Sequence, residues 1–224
     1  MAHTYLVTGV SRGLGAEFVR QLRARGHRVI GTVRDPAAPG PAAALADRIE
    51  RLDLSDHASF PAFVRTVGEP IDALIHNAAL LRPDATLAEL SPDSLGQTLS
   101  ANLVGPALLT KHALPWMDRG RRKLIVCVSS LLGSLSQTIG GWSYSYAISK
   151  AGLNMLAVQL SRELSPRGYT VVTASPGWNR TDMGGPDAPL EPRQSISSLL
   201  DVLDGLTHDR TGSYINYDGS PIAW

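Results

Sequence analysis

Short apolar runs along this chain alternate with stretches whose apolar residues fall at helical spacing, and the alternation holds from end to end. Residues 4–8 form an apolar run that stops at Gly9, after which Leu14, Phe18, Val19 and Leu22 recur one helical turn apart until Gly26. This pattern predicts a strand, a glycine turn and an amphipathic helix. Residues 28–33 predict a second strand, the Pro/Ala-rich 35–41 a loop, 42–47 a short helix, and 49–54 a third strand. Phe60, Phe63, Val64 and Val67 mark the next helix, 71–76 a fourth strand, and 92–118 a longer helix. A fifth strand is predicted over 123–129, a helix over 143–165, a sixth strand over 170–174, a helix over 193–205 and a last strand over 213–217. Strands and helices taking turns at this interval predict an α/β fold, a Rossmann-type doubly wound parallel sheet with helices on both faces. No repeat, low-complexity tract or linker interrupts the order, so residues 1–224 are expected to form a single domain.

Composition narrows the function classes more than the fold. Hydrophobic residues make up 43% and charged residues 18%, enough for a core that needs no staples. Lysine and arginine total 21 against 20 acids, and a net charge of +1 provides no electrostatic footprint for nucleic acid or an anionic membrane. The single cysteine, Cys127, has no partner for an internal disulfide, and no zinc-type spacing of Cys or His occurs. It is read as a small buried hydrophobe, and no metal is expected. Without a basic-then-apolar leader or an apolar run of bilayer length, the expectation is a soluble cytoplasmic protein.

The first candidate chemistry lies in the turn Thr8-Gly9-Val10-Ser11-Arg12-Gly13-Leu14-Gly15. Glycines there let the backbone approach a pyrophosphate, whose charge is favoured at a helix N-terminus. An acid ending the second strand would hold the 2′-hydroxyl of NAD; here Val33 is followed by Arg34, and the turn itself carries Arg12. Two cations able to converge on the adenosine ribose favour the 2′-phosphate of NADP(H). Asp53-Leu54 after the third strand can meet the adenine amino group, and Asn77-Ala78-Ala79 after the fourth lies where ligands bind in doubly wound sheets. His76, closing that strand, is read as structural.

Tyr146 and Lys150 stand four residues apart, one turn along one helix face. A free phenol titrates near ~10, and a neighbouring ammonium is expected to bring that value down toward neutrality. Ser129 and Ser130 end the fifth strand with two hydroxyls at the carboxyl edge of the sheet, either of which can bond a carbonyl oxygen.

These segments together resemble the short-chain dehydrogenase/reductase family, through Thr-Gly-xxx-Gly-x-Gly, Asn77-Ala78-Ala79, Asn102, Ser-Ser and Tyr-xxx-Lys, with Pro176-Gly177-Trp178 after the sixth strand. Within it, Val33-Arg34-Asp35-Pro36, Gly140-Gly141-Trp142, 181–185 and 217–224 are similar to the carbonyl-reductase-like group that includes the C-factor and Sniffer proteins. The resemblance implies Ser130 as the hydroxyl on the substrate oxygen, Tyr146 as proton donor and Lys150 on the nicotinamide ribose. It implies Asn102 as holder of a relay water, and Pro176, Gly177, Asn179 and Thr181 as the segment on the nicotinamide and its carboxamide. The sequence departs from the family at His76-Asn77-Ala78-Ala79, where Asn-Asn-Ala-Gly is usual, and at Asn179, which sets a polar side chain in place of valine.

The resulting expectation is NADPH-dependent reduction of a small-molecule ketone or aldehyde, in a pocket built from the 131–145 loop, 79–86 and 183–192. A dinucleotide-binding signalling protein with vestigial redox activity is the rival. Oligomeric state stays open between a monomer and a homodimer paired through 92–118 and 143–165. The run 119–123 is expected to be a solvated basic loop; Trp142 and Trp178 are the tryptophans nearest the motifs.

Overall fold

The computed structural model describes residues 1–140 and 142–224, so Gly141 of the Gly140-Gly141-Trp142 loop lies outside the described residues. Among the described residues seven strands form one sheet: β1 (Thr4–Val7), β2 (Arg28–Val33), β3 (Arg48–Arg51), β4 (Ala73–His76), β5 (Leu124–Val128), β6 (Thr170–Ser175) and β7 (Tyr214–Asn216). Their order is β3-β2-β1-β4-β5-β6-β7, every pair parallel, as the near-continuous apolar strands require. The order reverses between β1 and β4, and the crevice at their carboxyl ends is where such sheets bind ligands.

The α-helices of the described residues that cover the sheet are α1 (Gly13–Ala24), α2 (Phe60–Val67), α3 (Pro92–Leu99), α4 (Gly105–Met117), α5 (Tyr144–Leu164) and α6 (Pro192–Asp204). Alternation along the strands splits the core in two. Tyr5 and Val7 with Val126 and Val128 face α1 and α6, against Phe18, Leu22, Ile196 and Leu199. Leu6, Ile125 and Cys127 face the other way, against Phe60, Phe63, Leu109 and Leu153. Among the described residues no helix is long and apolar enough to cross a membrane.

Two expectations change. The helix predicted over 92–118 is there, continuous from Pro92 to Met117, but it is not α-helical throughout: α3 and α4 run into each other through a π-helical turn over Ser100–Val104, with Gly105-Pro106 opening α4. An apolar period can continue through a π turn, so the turn leaves no mark in the pattern. The basic run 119–123 is a loop with Arg119 and Arg121 exposed, as expected, but it is also fastened down. Arg122 donates to the carbonyl of Leu203 at 2.6 Å and to the Tyr5 hydroxyl, and the Arg121 backbone N–H donates to Asp72 Oδ1 at 2.6 Å.

Asp72 is what that loop is fastened to. Its other carboxylate oxygen accepts from the Thr4 N–H at 2.8 Å, tying the start of β1 to the segment before β4. Burial works against the charge, but the N–H groups of Thr4, Arg121 and Arg122 outweigh it and hold the carboxyl below its usual range. Asp72→Ala is expected to lower stability in urea unfolding at neutral pH by about 2 kcal/mol, the cost of orphaning buried donors. Because the folded-state value is depressed, this contribution is present above the ordinary carboxylate range. It fades as pH falls through the folded value, so the two unfolding curves should converge in acid.

Candidate active site

A groove of about 500 Å³ runs along the carboxyl edge of the sheet. One end is built by the turn after β1. A Cβ on Gly15 would lie 2.0 Å from the carbonyl oxygen of Gly9, so only glycine lets α1 start this close to the strand it leaves. Asn77 holds the turn in place, its Nδ2 donating to the carbonyls of Thr8 (2.9 Å) and Gly9 (3.1 Å). The Thr8 hydroxyl accepts from the N–H groups of Asn77 and Ala78, both at 3.0 Å. Among the described residues no side chain caps the α1 N-terminus, whose first N–H groups are a ready site for an anion.

Gly9, Ser11, Arg12, Gly13, Leu14 and Gly15 line this end together with Arg34, Asp53 and Leu54. Arg34 is exposed and makes no salt bridge among the described residues. Arg12 reaches across the groove to Asp182, 2.9 Å away, with both side chains largely exposed. Sequence reading had not singled out Asp182; its partner lies 170 residues away.

The other end is lined by Asn77, Ala78, Ala79, Val128, Ser129, Tyr146, Lys150, Pro176 and Thr181. Tyr146 and Lys150 share a face of α5, and the Lys150 Nζ stands 5.3 Å from the centre of the Tyr146 ring. Lys150 is 2% exposed and donates to the carbonyl of Val128 at 2.8 Å. Burial brings its pKa down to about 8. The expected lowering of the tyrosine is not found. Burial pushes the Tyr146 phenol up, and the neighbouring Tyr214 adds to the effect. Desolvation therefore sets the phenol's value, and Tyr146 keeps its proton at neutral pH.

Of the two serines, Ser129 is buried and its hydroxyl donates to Asn154 Oδ1 at 2.6 Å. Ser130 is half-buried and is not among the residues that line the groove, where Ser129 is; its Oγ accepts from the Leu132 N–H at 3.2 Å, which leaves its own proton uncommitted among the described residues. Asn102 lies in the π turn with both ends of its amide engaged. Its Oδ1 accepts from Leu80 N–H (2.7 Å), and its Nδ2 donates to the Leu80 carbonyl (2.8 Å) and to Ser149 Oγ (2.9 Å). Ser149 in turn donates to the carbonyl of Tyr146 at 2.7 Å. The Asn102 side chain thus has no donor left for a water. Asn179 and Gly177 do not line the groove. The Asn179 amide folds back, donating to the carbonyls of Pro176 (2.7 Å) and Gly177 (3.1 Å). Its polar group therefore stays buried in its own loop instead of facing the groove, a correction to the sequence reading.

His76 sits beneath the site, bonded through Nε2 to Thr110 Oγ1 at 2.8 Å, and burial with the nearby Lys150 charge brings it down to about 3. It stays neutral and structural. Trp142 and Trp178 meet edge to face at 5.6 Å.

Asp84 was missed in the sequence because it lies in an unpatterned polar loop. It is buried, and accepts from Ser143 Oγ (2.5 Å) and Ser94 Oγ (2.9 Å). Ser143 caps α5 by accepting from the Tyr146 N–H at 3.1 Å, and the Asp84 carbonyl accepts from Tyr144 N–H at 2.9 Å. One carboxylate therefore fixes the helix start that carries the phenol.

The short chain dehydrogenase family model matches residues 3–190. The chain is 36% identical over 155 residues to the C-signal of Myxococcus xanthus, a stretch that covers 69% of this chain and 93% of that protein. Among solved structures it resembles the carbonyl reductase Sniffer of D. melanogaster, with TM-score 0.92, 28% identity and 100% coverage of both chains. It also resembles an NADPH-bound carbonyl reductase from chicken fatty liver, with TM-score 0.92, 29% identity and coverage of 100% and 99%. The chain belongs to the short-chain dehydrogenase/reductase family of oxidoreductases.

The buried ammonium gives the site a measurable signature. Lys150 is expected to titrate near pH 8 by NMR of its labelled side chain. Since its folded value lies below the unfolded one, its burial penalty is complete below pH 8 and is relieved as pH rises toward the unfolded value. Lys150→Met should therefore unfold at higher denaturant than the parent at pH 7, by a margin that narrows in alkali; a less stable variant at pH 7 would contradict this.

Proposed function

We propose that this short-chain dehydrogenase reduces a ketone or aldehyde to an alcohol with NADPH. The observation that carries the reading is the placement of Tyr146 and Lys150 on the floor of a groove whose far end is an uncapped helix N-terminus flanked by two arginines. The close approach of Gly9 and Gly15 leaves backbone where a pyrophosphate fits. Arg34, with Arg12, would take the 2′-phosphate, Asp53 and Leu54 the adenine, and Asn77, Ala78 and Ala79 the central groove. Lys150 would hold the nicotinamide ribose, with Pro176 and Thr181 against the nicotinamide end.

NADPH held there would supply the hydride that the carbonyl carbon accepts. Tyr146 donates the proton to the carbonyl oxygen; burial keeps the phenol protonated at neutral pH, and donation becomes favourable as negative charge develops on that oxygen beside the Lys150 ammonium. Ser130 donates a hydrogen bond to the same oxygen, and Lys150 stabilises negative charge as it develops. Since both amide hydrogens of Asn102 are committed to Leu80 and Ser149, its part is to hold the α5 face in place. Likeness to the C-signal supports the second reading, a dinucleotide-binding signalling protein. Against that reading stands the desolvated lysine, a burden that binding alone does not require.

A titration of NADPH against NADH, followed by absorbance decay with a panel of carbonyls, tests both readings. Tight NADPH binding with turnover supports the reductase, and tight binding without turnover supports the signalling reading. Tyr146→Phe should nearly abolish turnover while leaving NADPH binding unchanged; retained activity sinks the assignment. Arg34→Ala should weaken NADPH by about tenfold or more and leave NADH untouched, as loss of a charged hydrogen bond implies.

A further inference from the structure

Ser130 stands on a loop, not on a regular element, and the structure clamps that loop from two sides. From below, α5 packs so closely that a Cβ on Gly133 would lie 2.8 Å from the Lys150 carbonyl carbon, and Asn154 Nδ2 donates to the Gly133 carbonyl at 2.9 Å. From the side comes the segment that follows β7. After a turn at 216–220 the chain returns antiparallel to β7, with Ile215 bridged to Pro221 and the Ile222 N–H donating to the Tyr214 carbonyl at 2.9 Å. That return sets the Trp224 ring 5.2 Å from the Tyr214 ring. The loop then binds the returning backbone. Ser134 Oγ donates to the Ala223 carbonyl (2.7 Å), and Ser136 donates to the Trp224 carbonyl through Oγ (2.8 Å) and N–H (3.2 Å). The Tyr214 hydroxyl completes the clamp by donating to the carbonyl of Ser130 itself, which also accepts from the Gly133 N–H at 2.8 Å.

We infer that Tyr214 is a positioning residue for Ser130, and that Trp224 holds Tyr214 in place to serve it. A serine on a loop is free to shift by more than a transition-state hydrogen bond tolerates. Here the peptide that carries it is fixed by a phenol that is 2% exposed and cannot rotate away while an indole covers it. The serines at 134 and 136 fasten the cover to the loop, so the site and the segment 221–224 hold each other.

This inference rests on the reductase reading for its kinetic test, and a second measurement stands apart from it. Tyr214→Phe keeps the ring and removes only the hydroxyl. It should lower kcat by about tenfold, as small misplacements of catalytic groups do, with NADPH affinity unchanged. In the Ser130→Ala background the same change should have almost no further effect, because Tyr214 acts through the serine. Trp224→Ala should lower kcat similarly, and Trp224→Phe should restore it. Equal losses in both backgrounds, or a Tyr214→Phe enzyme with parental kcat, overturn the proposal. Should the parent bind NADPH without turning over, the reductase reading fails, and amide exchange decides the inference by itself. The Gly133 and Ser134 amides should exchange faster in Tyr214→Phe and Trp224→Ala than in the parent; unchanged protection overturns it.

Discussion

The Lys150 ammonium meets the carbonyl of Val128 at 2.8 Å where almost no solvent reaches either. Removing a cation from water is expensive, and one carbonyl does not replace its hydration. The fold must supply the difference through packing, and the surroundings of α5 show how. Gly133 lets the loop after β5 lie on the helix at Lys150, and Gly152 leaves room for Leu103 from the π turn, whose side chain would be 2.7 Å from a Cβ there. Leu153 and Ala157 complete the buried face against the sheet. The helix is pressed to the sheet edge so closely that its two functional side chains are both buried.

The same edge explains why the two ends of the groove belong to one site. β1 and β4 are adjacent, so the glycine turn after β1 and Asn77 after β4 are neighbours, and the amide of Asn77 ties them. β5 and β6 then extend the row, placing the serines and the segment 176–182 beside the turn. A parallel sheet puts every strand's carboxyl end on one side, so residues far apart in the chain meet without long loops. The Arg12–Asp182 pair shows how close those ends come, although an ion pair so exposed contributes little to stability.

What the sequence disclosed follows from which forces have a period. Arg28–Val33, Phe60–Val67 and the 144–164 helix were legible because burial on a sheet or on one helix face repeats along the chain. The phosphate turn and Tyr146/Lys150 were legible because their spacing is local. Asp84 and Tyr214 were not: each acts on a residue tens of positions away, Ser143 in one case and Ser130 in the other. The π turn at Ser100–Val104 was hidden since it adds a residue to a turn without breaking the apolar pattern. The reversed pKa of Tyr146 was hidden for a further reason. Spacing reports that a lysine is near, but not how much water both groups lose.

That loss of water changes how the pair should be understood. With Tyr146 pushed up and Lys150 pulled down, the free site leans toward a neutral phenol beside an ammonium close to its own titration point. At neutral pH the phenol carries no charge, and the ammonium is a cation held against its burial penalty. A negative charge forming on a bound oxygen reverses the balance: it favours the protonated lysine and draws the phenol's proton toward itself. The low dielectric that makes each charge costly alone strengthens their interaction when charge appears. Rigid placement is what allows this, because a mobile lysine would seek water and a mobile tyrosine would find another acceptor. Asp84 at the start of α5 and Asn102 with Ser149 along its flank hold that arrangement from outside the groove, where no ligand touches them.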